Sequence, residues 1–298
     1  MTDVRGVLGR LEPRLGDITE GPIPLEGGIT NRNYRVRFGE RDCVVRLPGK
    51  DTSLLGISRD AERIANGAAA ELGLAPAVIA GDDECLVTEY VPCRAADASA
   101  VRAAAGSLGA ALRAFHDSGV QLSVRFWVPE LLESFAEVVR ERGGKLPPQY
   151  ATACSLVQLI AEVLPLHDPV PCHDDLLAGN VLLVGDGKAI MLVDWEYAGM
   201  GHRLFDLANL AVNNDFEQPD EARLLAAYFG EPPSPARSAA LRLMRIVSDA
   251  REAAWGVVQG VISELEFDFA AYAAQHFERL EQAAASPRFQ ESISAAAA

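Results

Sequence analysis

Apolar residues change their spacing near position 92, and this divides the chain into two unlike parts. Residues 3–15 space their apolar side chains as a short amphipathic helix would. Tyr34, Val36 and Phe38 then fall on one face of a strand, with Arg35 and Arg37 on the other. A polar turn over 39–42 leads into a return strand over 43–47, so an antiparallel hairpin is expected, with a possible extra strand over 22–25. Ser58 is placed to cap a helix over 59–73, ended by Gly73 ahead of Pro76. Two further strands, 77–80 and 85–91, flank the turn 81–84, and Pro92 stops the pairing. Beyond it, helical spacing covers 97–117, 128–142, 149–164, 219–229, 235–262 and 267–285. One hairpin, 181–184 with 189–193 around Gly185 and Gly187, interrupts these helices, and the tail from Ser292 is expected to fray. The chain therefore reads as α+β, with a β-rich part over 1–91 and a mainly helical part over 92–298.

Composition narrows the possible partners. Hydrophobic residues make up 49% and charged residues 23% of 298, the balance of a folded globular protein and not of a disordered or fibrous one. Forty-two acidic residues face 27 basic ones, for a net charge of −15. Nucleic acid needs a basic surface, so no nucleic-acid partner is expected; a cationic small molecule suits the balance better. No run reaches the ~18–20 apolar residues of a membrane span, and the N-terminus lacks the order of a signal peptide. The expectation is a cytoplasmic protein with no membrane partner. The five cysteines are odd in number and include no C-x-x-C pair, which favours reduced thiols over a disulfide scaffold or a zinc site.

The chemistry lies around the interrupting hairpin. Before it stands His173-x-Asp175-x4-Asn180, and directly after it Asp194. Phosphoryl transfer needs a carboxylate to orient and deprotonate a hydroxyl, and hard oxygen ligands to hold magnesium against the phosphates. Asp175 fits the first role. Asn180 and Asp194 fit the second, since the hairpin returns the chain to where it began.

Residues 172–209 resemble the choline/ethanolamine kinase family, a branch of the aminoglycoside-phosphotransferase-like group with a protein-kinase-like fold. The likeness is strongest in Asp194-Trp-Glu-Tyr-Ala-Gly and Arg203-Leu-Phe-Asp-Leu-Ala-Asn209, and it extends from about 25 to about 277. The resemblance implies two lobes: a β-rich nucleotide-binding lobe over 1–91, and a helical lobe over 92–298 holding the catalytic loop and acceptor site. It implies ATP and Mg2+ as cofactors. The stretch Gly27-Gly28-Ile29-Thr30-Asn31 then becomes the phosphate loop, with Gly28, Thr30 and Asn31 at the nucleotide, because small residues let backbone N–H groups approach phosphate. Arg46 takes the place of the strand-three lysine, a guanidinium fork for phosphate oxygens, with Glu62 to orient it. Glu89 and Val91 belong to the hinge that meets the adenine. His116 and His173 are expected to be structural, and Arg203 and Asp206 to pair.

The acceptor is sought on the C-terminal helices. Ser248, Glu252, Trp255 and Gln259 recur on one helix face that is polar and aromatic, while Ile246, Ala250, Ala254, Val257 and Val261 look like packing. By the resemblance, Trp255 and Tyr272 match two positions whose rings surround a quaternary ammonium, since ring faces attract a cation. Glu252 stands where eukaryotic relatives carry another tryptophan, and Asn213 where they carry an acid, with Asp215 and Glu217 nearby to compensate. Glu196 joins the expected acceptor set. The reading is an ATP-dependent kinase for the hydroxyl of choline, modestly preferred, or of ethanolamine. A kinase for thiamine, another amino alcohol or an aminoglycoside is the alternative. A ligand-binding pseudokinase is disfavoured because Asp175, Asn180 and Asp194 are all present.

Overall fold

The computed structural model describes residues 4–25, 31–185, 187 and 189–297. The N-terminal part starts with helix α1 (Val4–Leu15) and builds one antiparallel sheet from β1 (Ile18–Leu25), β2 (Arg32–Phe38), β3 (Arg41–Leu47), β4 (Val78–Gly81) and β5 (Leu86–Glu89). The strand order is β1-β2-β3-β5-β4. Pairing of Tyr34 with Val45 and Val36 with Cys43 sets one apolar face. That face packs on Val7, Leu8 and Leu11 of α1 to form a small core. Alternation sends Arg46 to the other face, toward helix α2 (Arg59–Glu71).

Helix α2 begins where Ser58 accepts a hydrogen bond from the Ala61 N–H (3.3 Å). It ends before Gly73, whose φ of 71° suits glycine. Its alanine face, Ala61, Ala65 and Ala69, belongs to the large core of the C-terminal part and not to the core under the sheet.

The C-terminal part contains α3 (Ala98–Ala103), α4 (Ala105–His116), α5 (Val128–Glu141), α6 (Pro148–Val163), α7 (Arg203–Asn213), α8 (Gln218–Phe229), α9 (Pro235–Ile262), α10 (Phe269–Ala285) and α11 (Pro287–Ala296). Between them run β6 (Cys93–Ala95), β7 (Val170–Cys172), β8 (Val181–Val184), β9 (Ala189–Leu192) and β10 (Gly199–Gly201). The α9 helix is central, packed by α5, α6, α7, α10 and α11. Its polar-aromatic face is as buried as its apolar one: Ser248, Glu252, Trp255 and Gln259 all lie inside.

Several expectations change. The 97–117 helix is two helices, since Ala104 leaves helical geometry. The strand over 85–91 stops at Glu89, and the chain crosses to pair β6 with β8. The short pair β7–β10 and helix α7 are additions. The tail does not fray at Ser292. Ser286 caps a new helix, Pro287 starts it, Phe289 and Ser292 are buried, and Arg242 donates to the Ser292 hydroxyl at 3.1 Å. All five cysteines are free thiols. Among the described residues, no helix is long and apolar enough to cross a membrane.

Candidate active site

The catalytic loop is pinned by side chains from α7. The carboxylate of Asp206 accepts the N–H of His173 and of Asp174, both at 2.8 Å, and is 3.0 Å from Nε2 of His116. Nδ1 of His116 in turn meets the Tyr228 hydroxyl at 2.7 Å. Asn209 accepts the Leu176 N–H at 2.6 Å, and Asn214 donates to the Leu176 carbonyl at 3.1 Å. Burial works against the Asp206 charge, but the bonds from His116 and the loop N–H groups hold its pKa below the ordinary value. His173 reaches the Val193 carbonyl at 3.0 Å and so ties the loop to the end of the hairpin. Arg203 does not pair with Asp206. It sits at the more exposed start of α7 and meets the Tyr228 hydroxyl (3.3 Å) and Asp117 (3.9 Å), while His116 and the loop take up the fully buried Asp206.

Asp175 lies at the centre. Nδ2 of Asn180 donates to the Asp175 carbonyl (2.9 Å) and to its Oδ2 (3.2 Å), while Nη1 of Arg251 is 3.4 Å from its Oδ1. Burial pushes the Asp175 carboxyl up to about 8 and the Arg251 cation pulls it back, with Glu252, Asp194 and Glu196 adding to the rise. Asp194 takes a left-handed backbone (φ 65°), which a short polar residue tolerates. It forms an ion pair with Arg46, and Nδ2 of Asn31 lies 3.3 Å from its Oδ1. Arg46 also pairs with Glu62 of α2. Arg59 joins Glu62 (2.8 Å) to Glu196 (3.2 Å).

A second cluster lies one guanidinium away. Nη1 of Arg251 bonds to Oε1 of Glu252 at 2.9 Å as well as facing Asp175. Glu252 Oε1 also accepts from Asn209 (3.0 Å), and its Oε2 from the Tyr272 hydroxyl (2.8 Å). Despite burial, the Arg251 charge keeps Glu252 below its ordinary pKa. Trp255 donates its indole N–H to the Tyr197 hydroxyl at 2.8 Å, and its ring stands edge-on to Tyr272 (5.5 Å) and Phe269 (5.7 Å). The Arg251 guanidinium lies 4.4 Å over the Tyr197 ring.

The structure thus brings Asn180 to Asp175 and gathers Asn31, Arg46 and Glu62 in a chain of contacts with Asp194, while Arg251 joins Asp175 to the cluster of Glu252, Tyr272 and Trp255. Glu196 is on the α2 side, paired with Arg59. Gly28 and Thr30 lie outside the described residues. Exposed Glu89 closes β5, and half-buried Val91 follows it before β6. Asn213 ends α7, and Asp215 beyond it is exposed with φ 52°. None of the hydrogen bonds or ion pairs of Glu252, Trp255 or Tyr272 reaches either residue. Between them, Asn214 donates from its side chain to the Leu176 carbonyl of the loop.

Arg251, Asn209 and Asp206 were not assigned site roles in the sequence reading. Their signal is a charge or amide set inside an apolar helix, which amphipathic logic counts as a misfit. Asp206, Asn209 and Asn213 share the i, i+3, i+7 spacing of one α7 face. That face is polar and points inward because loop N–H groups need acceptors there.

Asp174 poses a different problem. It is fully buried in a left-handed conformation (φ 67°), and neither carboxylate oxygen has a hydrogen-bond partner. Burial and then the Asp206 charge push its pKa well up. A raised folded pKa means that the contribution of this group is fully present below about pH 4 and is lost as pH rises through the folded value. Asp174→Asn should therefore be more stable than the parent at pH 8, by at least about 1.4 kcal/mol, the cost of raising a carboxyl pKa by one. The gain should vanish near pH 3. Denaturant melts at both pH values check this, and an equal effect at the two would refute it.

The comparisons with known proteins agree with this geometry. A model of the phosphotransferase enzyme family (APH) matches residues 22–241, and the chain belongs to that family. It is similar to a probable choline kinase 1 from Arabidopsis thaliana, 25% identical over 93% of this chain and 92% of the relative. It is also similar to the crystal structure of a choline/ethanolamine kinase family protein from Mesorhizobium loti. That match has a TM-score of 0.83 and 27% identity, covering 98% of both chains. The choline kinase LicA from Streptococcus pneumoniae, at 22% identity and a TM-score of 0.77 over 94% and 97% of the two chains, shares the fold and has also been solved in complex with AMP. The fold is therefore protein-kinase-like. The chain is an enzyme, an ATP-dependent phosphotransferase with an alcohol as acceptor.

Proposed function

We propose that the chain transfers the terminal phosphoryl group of ATP to the hydroxyl of a small amino alcohol of the choline/ethanolamine class. One observation carries this reading. A single guanidinium, Arg251, links the candidate base Asp175 to the carboxylate Glu252, so the hydroxyl end and the cationic end of a short substrate both find an anion. The names of the relatives support the class.

In this reading Asp175 accepts a hydrogen bond from the acceptor hydroxyl and takes its proton, and its raised pKa suits a base working near neutral pH. Asn180 spends its N–H groups on Asp175, which turns its amide oxygen outward, and Asp194 offers a carboxylate beside it. Together they form a hard-oxygen donor set that fits magnesium. The ion, when bound, neutralises charge on the phosphates. Arg46, oriented by Glu62, and Asn31 meet the same phosphates, and the resemblance assigns Gly28 and Thr30 to the phosphate loop. Glu89 and Val91, at the crossing between the sheets, take the adenine, as the resemblance to the kinase hinge implies. The crossing at β6 likewise supports placing the lobe boundary at 91/92.

ADP release in the presence of choline, ethanolamine, thiamine or an aminoglycoside tests the proposal. Turnover is expected with at least one of the first two. Turnover confined to thiamine or the aminoglycoside would overturn it.

A further inference from the structure

We infer that Arg59 is a positioning residue for phosphoryl transfer: its guanidinium neutralises Glu196, and so leaves Asp194 to magnesium and Arg46 to the phosphates. The inference rests on the magnesium and phosphate assignments proposed above, and it moves Glu196 from the acceptor set to the nucleotide side.

Three observations lead there. First, the ion pairs form a chain that returns to its start. Asp194 pairs with Arg46, Arg46 with Glu62, Glu62 with Arg59 at 2.8 Å, and Arg59 with Glu196 at 3.2 Å. Asp194 and Glu196 belong to one short segment, the helical turn Trp195–Tyr197 and the residue before it, and α2 packs on that turn. Signs alternate along the chain, so each cation lies between two carboxylates.

Second, Arg59 occupies a place that favours neither the helix nor the cation. It is the first residue of α2, directly after the capping Ser58. A positive charge there opposes the positive end of the helix dipole. The side chain is only 12% exposed. Burial works against the cation, as does the nearby Arg46 charge, and Glu196 is foremost among the groups that hold it.

Third, the contacts use the whole fork. Nη1 donates to Glu62 and to Glu196, and Nη2 donates to the Thr52 hydroxyl at 3.0 Å. Thr52 begins the turn Thr52–Leu55, whose Leu55 is buried in the large core. One planar group is thus held in a fixed place between Glu62 and Glu196.

The consequence is electrostatic. Burial and then the neighbouring Asp194 charge push the Glu196 pKa up, and Arg46 and Arg59 pull it back. Without the Arg59 charge, the three carboxylates Asp194, Glu62 and Glu196 share Arg46. Glu196 then repels Asp194 and competes with it for that guanidinium. The carboxylate offered to magnesium and the cation offered to the phosphates both lose their placement. The hydrogen bonds and ion pairs of Glu252, Trp255 and Tyr272 do not reach Arg59, so the acceptor side is spared.

Arg59→Gln keeps a polar side chain and removes the charge. It should weaken the binding of ATP with magnesium, read by calorimetry without turnover, by about 10- to 100-fold, the usual effect of losing a partner that orients a metal ligand. The magnesium concentration for half-maximal activity should rise in step, while the KM of ethanolamine or choline stays nearly constant. Arg59→Lys keeps the charge without the fork and should fall between the parent and Arg59→Gln. In a Glu196→Gln background, Arg59→Gln should cost little further, because the carboxylate it neutralises is gone. Should Arg59→Gln not fold, Arg59→Lys decides by the same split between ATP and alcohol. Unchanged binding of ATP with magnesium, a KM for the alcohol that rises as much, or an equal cost with and without the Glu196 carboxylate would overturn the inference. Asp194→Ala separates it from the reading beneath: if magnesium dependence moves there and not in the Arg59 variants, the inference falls and the role of Asp194 stands, and if it moves in neither, both fall.

Discussion

Asp175→Asn is expected to leave a folded protein that still binds ATP while turnover falls by about 10²–10⁴-fold, the usual cost of removing a positioned base. The substitution is nearly isosteric, so the bond from Asn180 to the main-chain carbonyl and the bonds from the loop N–H groups to Asp206 and Asn209 stay in place. What disappears is the capacity to take the proton. The amide also presents N–H groups toward Arg251, where a carboxylate oxygen now lies at 3.4 Å. ATP affinity by calorimetry and single-turnover rates separate binding from chemistry. A near-normal rate would remove Asp175 from the mechanism.

Asp194→Ala should raise the magnesium concentration for half-maximal activity by at least about tenfold, because the loss of a direct ligand costs no less than the loss of its supporting partners. Asn180→Ala should show a smaller rise, a neutral amide being the weaker ligand. In Asp194→Ala the guanidinium of Arg46 also loses one of its two carboxylates and keeps Glu62. Melting temperature should also fall, since Arg46 is buried and loses one of its two carboxylates. Magnesium titrations that are unchanged in both variants would place the metal elsewhere.

The parts of this molecule that follow one rule at a time were legible in the sequence. The hairpin of β2 and β3, the capped helix α2, the long α9 and the β8–β9 hairpin each show a clean period between recognisable turn residues. The spacing of Asp175, Asn180 and Asp194 was legible for the same reason, because a loop–hairpin unit is local. What escaped was non-local. Helix α7 was hidden because its polar face is turned inward to serve a loop thirty residues earlier in the chain. Strands β6, β7 and β10 are only three residues long and exist through partners distant in sequence. Arg251 was passed over as one more charge on a helix, since only the folded chain shows that it stands between Asp175 and Glu252. Asn213 and Asp215 were grouped with the acceptor by the resemblance, and the Asn214 side chain between them donates to the Leu176 carbonyl, a bond that no local pattern announces.

The attachment of α2 has a mechanical consequence. Its alanine face is embedded in the core of the larger part, while Arg46 is carried by the sheet, which has a core of its own with α1. The contact between Arg46 and Glu62 is therefore a joint between separately supported bodies, and the same guanidinium extends on to Asp194. Tilting the sheet would swing the cation of Arg46 while Asp175, Asn180, Arg251 and Glu252 stayed fixed to α7 and α9. In the proposed reading, the nucleotide side of the site would follow the sheet and the acceptor side would stay with α7 and α9.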